Sequence, residues 1–466
     1  MDVEELLWAG ADAQAAALRD GAVSAPELTD AVLRRIETVN PALNAFRTVY
    51  ADAARQAAQD AQRRIDAGER TPLLGVPVAV KDDQDVAGDV TAKGGRPQFG
   101  PAEQDSPPVA RLRSAGAVIV GHTRTPERCL WPFTETLAHG ATRNPWHLDH
   151  TPGGSSGGSA AAIAAGIVGA ATGSDGGGAL RIPAGACGIF GMKTTRGLVA
   201  AGEEGWHGLS VVGPLGRRVA DVAAMLDVLA DVRAALGDGD AGGYRSAAGG
   251  DPPRLRIALS WRTPLGRPPM EGERKRAVLD TADRLRALGH EVTEADPPLG
   301  VRPSPQFLVR YLRGVSDDVA GLPHPEWLEP RSRRIAAVGR RIPDRVLAGV
   351  RAAESGLDSL MRGFFENVDV ILQPGWTSRQ LRIGRYHGSG ASSTLAGVSM
   401  GIPYFPTWNV LGYPVAALPA GRDERGLPIG VQLIGPAFAE RRLLGLAGQF
   451  ERAHPWADAR PEPVYG

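Results

Sequence analysis

Three segments carry residue types that could do chemistry. Lys81 closes the apolar run that starts at Gly75 and continues through Val76, Pro77, Val78, Ala79 and Val80. A lysine at the end of a short buried strand projects where α/β proteins often place their active groups. Desolvation there would depress its pKa, so the amine could be neutral and accept a proton. The opposing possibility is a lysine paired with Asp82, Asp83 or Asp85, and on this segment alone that possibility wins. The second segment, Gly153-Gly154-Ser155-Ser156-Gly157-Gly158-Ser159, lets the backbone approach closely and can fix hydroxyls tightly. It reads equally as a tight turn before an alanine-rich helix. In the third, Ser174-Asp175-Gly176-Gly177-Gly178-Ala179-Leu180-Arg181, consecutive backbone N–H groups stand almost free of side chains. Such a nest suits an anion, including a tetrahedral oxyanion, and Asp175 and Arg181 are placed to brace it as an ion pair.

Only four of the 52 basic residues are lysines: Lys81, Lys93, Lys193 and Lys275. A role that the permanently charged arginine cannot fill is therefore more plausible at Lys81. Other uses of the glycine loops fit less well. The G-x-S-x-G elbow can be centred on Ser155 or Ser156, but residues 146–152 do not read as the strand it needs. No phosphate-binding G-x-x-x-x-G-K-[ST] is present. His147 and His150 have no Cys or His cluster near them, so neither a metal nor another cofactor is expected.

The elements that must position these residues are legible in outline. Residues 1–70 read as helical, with Ser24 and Glu27 as a capping box and Leu28, Val32, Leu33, Ile36 and Val39 at helical spacing. A second helix is expected over 52–65. Strands are expected over 76–80 and 117–120, the latter stopped by Gly121, with a helix over 108–114 between them. A helix over 159–168 separates the two glycine loops. Residues 255–259, 273–288 and 291–294 read as strand, helix and strand. A surface linker is expected over 236–253. Residues 296–345 are Pro- and Arg-rich and resist assignment. A long helix over 344–365 leads to a strand over 368–372, and 374–400 reads as a mobile loop near the site. Strands over 415–418 and 430–434 and a helix over 440–451 close the chain, with no internal repeat.

At 466 residues the chain can bury a large core, and its formal net charge is zero. Neutrality argues against a nucleic-acid or membrane-surface binder, which would show a basic excess. Two cysteines, Cys129 and Cys187, are too few for a disulfide framework and suit a reducing compartment. No secretory leader and no apolar span of about 20 residues is visible, so a cytoplasmic protein is expected.

Taken together, the segments resemble the amidase signature family, whose triad is Ser-Ser-Lys. The resemblance runs on through Ala110–Gly121, Thr142-Arg143-Asn144-Pro145-Trp146, Cys187–Gly197 and Gly426–Gly435. It implies one α/β domain over 1–466 with a central mixed β-sheet flanked by helices, its catalytic motifs within 71–200. It implies a hydrolase that cleaves the acyl C–N bond of an amide, anilide or hydrazide through an acyl-enzyme. By this resemblance Lys81 is the base and Ser155 the bridging serine, usually held by a cis peptide. Ser174 supports that network, Gly176, Gly177 and Gly178 form the oxyanion loop, and Asp175 and Arg181 support it. The family's nucleophilic serine follows the bridging serine by 24 residues, which in this chain is Ala179.

An engineered Ser→Ala change that holds substrate intact fits the otherwise complete site. A natural pseudoenzyme would be expected to show decay at Lys81 or Ser155 as well. Attack by Ser155 or Ser156 itself is a third possibility, disfavoured by the nest at 176–179. Spacing from Ser155 directs Cys129, Leu130, Trp131, Pro132 and Phe133 towards substrate, with Trp206, Trp376 and Trp408 as further aromatic candidates, although core packing explains each as readily. Aromatic lining would suit an aryl or bulky apolar acyl group. The expected partner is thus a small-molecule amide or hydrazide, not nucleic acid or membrane, with a homodimer one assembly to expect. A glutaminase-like component of a tRNA amidotransferase complex is the competing class, and a non-catalytic binding protein the next.

Overall fold

Short apolar runs ending in turn residues become the strands of one eleven-stranded sheet. The computed structural model describes residues 2–230 and 243–462. The strands are β1 (Phe46–Val49), β2 (Pro77–Lys81), β3 (Val118–Thr123), β4 (Glu135–Thr136), β5 (Gly140–Ala141), β6 (Ala170–Asp175), β7 (Phe190–Lys193), β8 (Val211–Gly216), β9 (Arg256–Leu259), β10 (Glu291–Glu294), β11 (Val370–Pro374), β12 (Val415–Arg422) and β13 (Pro428–Ile434). Their order is β1-β3-β2-β6-β8-β7-β12-β13-β11-β9-β10, while β4 and β5 pair separately. The sheet is mixed: β2 runs parallel to β3 and β6, and β9 parallel to β10 and β11, whereas the other pairs are antiparallel.

The neighbouring parallel strands β2 and β6 matter most for the site. Val78 pairs with Ala170 and Ala79 with Ala171, so both strands end on one side, β2 at Lys81 and β6 at Ser174 and Asp175. Ligands in open α/β sheets gather at such carboxyl ends. Val78, Ala79, Val80, Ala170 and Ala171 are all fully buried. Burying a valine side chain contributes about 1.5–3 kcal/mol, which anchors the strand beneath its terminal lysine. The small side chains of β6 admit the helix Gly157–Ala164 between the two glycine loops, and every residue of that helix is buried. Gly158 has no substitute there, because a Cβ would lie 2.5 Å from the Arg124 amide nitrogen.

The N-terminal region forms helices Val3–Ala9, Ala11–Arg19, Ala25–Leu43 and Ala51–Asp66, but it also contains β1. Only the Ser24 half of the expected capping box forms, with the hydroxyl accepting from Glu27 N–H at 3.3 Å. Gly121 does not stop β3, which runs on to Thr123 with Gly121 packed against the Thr48 carbonyl of β1. The 344–365 helix is two, Asp344–Ala352 and Glu354–Phe365. Within 296–345 lie the helices Pro303–Ala320 and Pro330–Gly339, and the supposed loop 374–400 contributes most of the helix Ala391–Gly401. Of the surface linker expected over 236–253, residues 236–242 lie outside the described residues. The remainder is not a linker: Tyr244–Gly249 is a helix whose Tyr244 is buried, packed against the helix Glu440–Ala453. Among the described residues no helix is long and apolar enough to cross a membrane.

Candidate active site

At the ends of β2 and β6, Lys81 is wholly enclosed. Its backbone N–H donates to Thr172 Oγ1 at 3.1 Å, which ties the strand end to β6. Its Nζ donates to Ser155 Oγ at 2.7 Å and to Ser174 Oγ at 2.6 Å, and lies 3.1 Å from Asp83 Oδ2. Ser174 Oγ in turn donates to Asp83 Oδ2. The Gly154–Ser155 peptide is cis. Ser155 accepts from Lys81, but among the described residues its own hydroxyl has no protein acceptor, and it lines the neighbouring cavity. Both serines line the cavity, and a buried amine touching their two hydroxyls can relay a proton between them and a bound substrate.

The charge state of Lys81 corrects an expectation. Burial by itself pulls the amine's pKa down, yet the charge of Asp83, together with Cys129, the Asp83 hydrogen bond and the more distant Asp175, outweighs that pull and holds it above the ordinary lysine value. Burial likewise pushes Asp83 up, but the Lys81 charge and the Ser174 hydroxyl bring it below the usual carboxylate range. Of the two readings set against each other for Lys81, the pairing with Asp83 is present, and the depressed pKa expected from burial is not, although the amine does contact both serines. Asp82 is engaged elsewhere, 3.0 Å from Arg47 Nε.

The glycine loop is braced from within. Arg181 Nε and Nη2 donate to Asp175 Oδ2 and Oδ1 at 2.9 and 3.0 Å, with both side chains fully buried. Gln432, Asn409 and the Phe405 carbonyl take the remaining Arg181 N–H bonds. Asp175 also accepts from Gly178 N–H at 2.6 Å and Leu180 N–H at 3.2 Å. The Gly178 N–H is therefore already committed and cannot serve an oxyanion, which corrects the three-glycine set. Gly176, Gly177 and Ala179 keep N–H groups without a protein acceptor among the described residues, and all three line the cavity. The Ala179 carbonyl accepts from Ser156 N–H at 3.1 Å, which holds the two loops together beside Ser155. Gly178 needs its lack of side chain, since its φ is +118° and a Cβ would meet Ile182 and Phe405.

The cavity has a volume of about 880 Å³. Cys129, Leu130, Trp131 and Trp206 line it. Phe133 and Trp376 do not. Phe133 is stacked between Trp131 and Tyr386 with ring centroids 5.9 and 5.6 Å away, and Trp376 packs on Ile182 and Phe405 while donating to the Ile182 carbonyl. Trp408 is core, donating to Gln373. Sequence reasoning missed Phe307 and Tyr311 on the helix Pro303–Ala320, which stack on each other at 5.8 Å and form an aromatic wall. Four cavity residues, Lys93, Arg128, Cys129 and Trp206, have positive φ although none is glycine. Backbone of this kind concentrates at functional sites. Among the described residues no group of His, Cys, Asp or Glu could hold a metal ion.

An α/β fold with a buried lysine, two serines and a glycine nest at one cavity defines a hydrolase of the amidase signature class. Comparison agrees: the family model described as Amidase matches residues 27–444, and the chain belongs to that family. It is 48% identical over 464 residues to AmiB2 of Mycobacterium tuberculosis (strain ATCC 25618 / H37Rv), covering 99% of each chain. It is also 36% identical to a component of the glutamyl-tRNA(Gln) amidotransferase of Prochlorococcus marinus (strain MIT 9313), covering 94% of this chain and 95% of that one. Among solved structures, 6-aminohexanoate cyclic dimer hydrolase in complex with substrate is similar, with a TM-score of 0.88, 30% identity, and coverage of 99% of this chain and 100% of that one.

Proposed function

We propose that this is a Ser-Ser-Lys amidase for small acyl–nitrogen substrates, with residue 179 at the nucleophile position and alanine leaving it able to bind but not to cleave. One observation carries this. Ala179 is fixed by Ser156 beside Ser155, whose hydroxyl accepts from Lys81, and it faces the cavity with an unused N–H. With serine at 179, neutral Lys81 draws the Ser155 proton while Ser155 takes the proton of the attacking hydroxyl. The N–H groups of residues 176, 177 and 179 receive the oxyanion. The relayed proton goes to the departing nitrogen, and water then cleaves the acyl-enzyme. Loss of such a serine costs on the order of 10⁶-fold in rate.

Leu130, Trp131, Trp206, Phe307 and Tyr311 on the cavity wall favour an aryl or bulky apolar acyl group, joined to an amide, anilide or hydrazide nitrogen. The test is the Ala179→Ser protein against a panel of such substrates, with the parent chain as control. Rapid acyl–nitrogen cleavage only by the serine form is expected; no cleavage across the panel rejects the proposal. The similarity to an amidotransferase component supports a second reading, a glutaminase that works in a complex. Glutamine hydrolysis by the serine form, or copurifying partner proteins, would favour it.

A further inference from the structure

The Lys81 ammonium has three protons and the site offers three acceptors: Ser155 Oγ at 2.7 Å, Ser174 Oγ at 2.6 Å and Asp83 Oδ2 at 3.1 Å. Two of those acceptors are also linked, because Ser174 donates its own proton to the same Asp83 oxygen. With that proton committed, Ser174 can only accept from Lys81. The ammonium serves all three acceptors at once. A neutral amine would keep Ser174 and Asp83 and turn its lone pair to the Ser155 hydroxyl; the Asp83 carboxylate at 3.1 Å favours the first arrangement. Lys81 is fully buried, and a lone buried ammonium would shed its proton to escape desolvation.

Every other charged group in reach has a different commitment. Asp175, at the end of β6, is bound by Arg181. Asp82 is paired with Arg47. The Cys129 thiol, from the adjacent positive-φ turn, donates to Asp83 at 3.6 Å, and burial pushes its pKa up. Lys93 approaches from the cavity side and acts on Asp83 by charge alone. Among the described residues only Asp83 both touches Lys81 and carries the opposite charge.

We propose that Asp83 is a positioning residue for the amine: by accepting from both Lys81 and Ser174 it keeps Lys81 an ammonium in the resting site and sets the pH above which that amine can take up a proton. The burial of Lys81, which by itself favours the neutral amine, is opposed within the site by a carboxylate two residues along the chain. The two groups titrate as a coupled pair, so the acid limb of activity reports the pair and not an isolated lysine. This rests on the amidase reading for its kinetic consequence, but not for the charge state itself.

The small number of lysines makes the charge state directly observable. With ¹³C,¹⁵N-lysine incorporated into the chain as it stands, four side chains contribute signals, and Lys81→Met assigns one. Lys81 is expected to remain an ammonium through the ordinary lysine range, its midpoint held above the free lysine value by Asp83. In Asp83→Asn its midpoint should fall by at least about one pH unit, a roughly tenfold loss of proton affinity. A neutral Lys81 at about pH 8 in the parent overturns the proposal on its own, even where Asp83→Asn does not fold. An unchanged midpoint in a folded Asp83→Asn also overturns it. In the Ala179→Ser background, Asp83→Asn should move the acid limb of kcat/KM downward by the same interval. An inactive Ala179→Ser protein would count against the amidase reading, while the lysine titration would still decide the role of Asp83.

Discussion

Asp175 and Arg181 stand six residues apart and close on each other as a two-pronged, fully buried ion pair, and the loop between them is the one that bears Ala179. The pair fixes the ends of a segment that has almost no side chains with which to fix itself. Asp175 also receives Gly178 N–H, so one carboxylate sets both the loop's span and its internal fold.

Arg181→Met should therefore cost about 3–5 kcal/mol, because it leaves Asp175 buried and uncompensated. Urea unfolding measures this, and a change within about 0.5 kcal/mol would show that the loop holds itself. Burial would raise the Asp175 pKa, but the Arg181 charge drives it well below the usual carboxylate range. Its folded value is thus the lower one, so its stabilisation is present above the ordinary aspartate pKa and is lost only as pH falls through the depressed value.

Lys81→Met separates chemistry from binding. In the Ala179→Ser protein it should lower kcat by at least about 10²–10⁴-fold, the usual worth of a positioned proton-transfer group. In the parent chain it should leave calorimetric affinity for an aryl amide within a few-fold. Full activity after the substitution would remove Lys81 from the proton relay.

Phe307→Ala tests the aromatic wall. A Cβ on Gly177 would lie 3.1 Å from the Phe307 ring, so this ring borders the glycine nest directly. Losing its contact should weaken aryl ligands by about 1.5–3 kcal/mol while barely affecting acetamide-sized ones. Equal weakening of both would show that the ring supports the loop and does not select the acyl group.

A stability trend with pH follows from two carboxylates far from the cavity. Asp221 accepts from the backbone N–H groups of Asp12 and Arg218, and Glu451 from that of Val219. Burial raises both to about 7. Since these folded values exceed the unfolded ones, their contribution is complete below the ordinary carboxylate range and is lost as pH rises to about 7. The melting temperature should fall between about pH 5 and about pH 8, and Asp221→Asn should flatten that fall. A melting temperature that is flat or rises over this interval would contradict the trend.

The sheet strands that bear the site could be read because they are continuous apolar runs, and the glycine loops because their composition has few uses. The helix Pro303–Ala320 could not. Its inward face includes Gln306 and Arg310, and Arg310 is buried only because Glu354 and the carbonyls of His207 and Val410 receive its N–H groups. Partners that distant are invisible to local periodicity, so the aromatic wall on that helix went unseen. The break at Ala353 leaves no trace either, since alanine is at home in an unbroken helix. Spacing also could not tell which of Trp131 and Phe133 faces the cavity, nor which of Asp82, Asp83 and Asp85 would be the one to meet Lys81.

The adjacency of β2 and β6 gathers Lys81, Ser155, Ser174 and Ala179 from about a fifth of the chain, whereas Phe307, Tyr311, Val398 and Ile402 come from helices and turns far downstream. The chemical apparatus and this downstream part of the wall, which faces Leu130 and Trp131 of the upstream stretch, are consequently separable in the sequence. Drift in the downstream helices can exchange one acyl group for another while the strand ends stay as they are, so one bond-breaking device can be refitted to many molecules without being rebuilt.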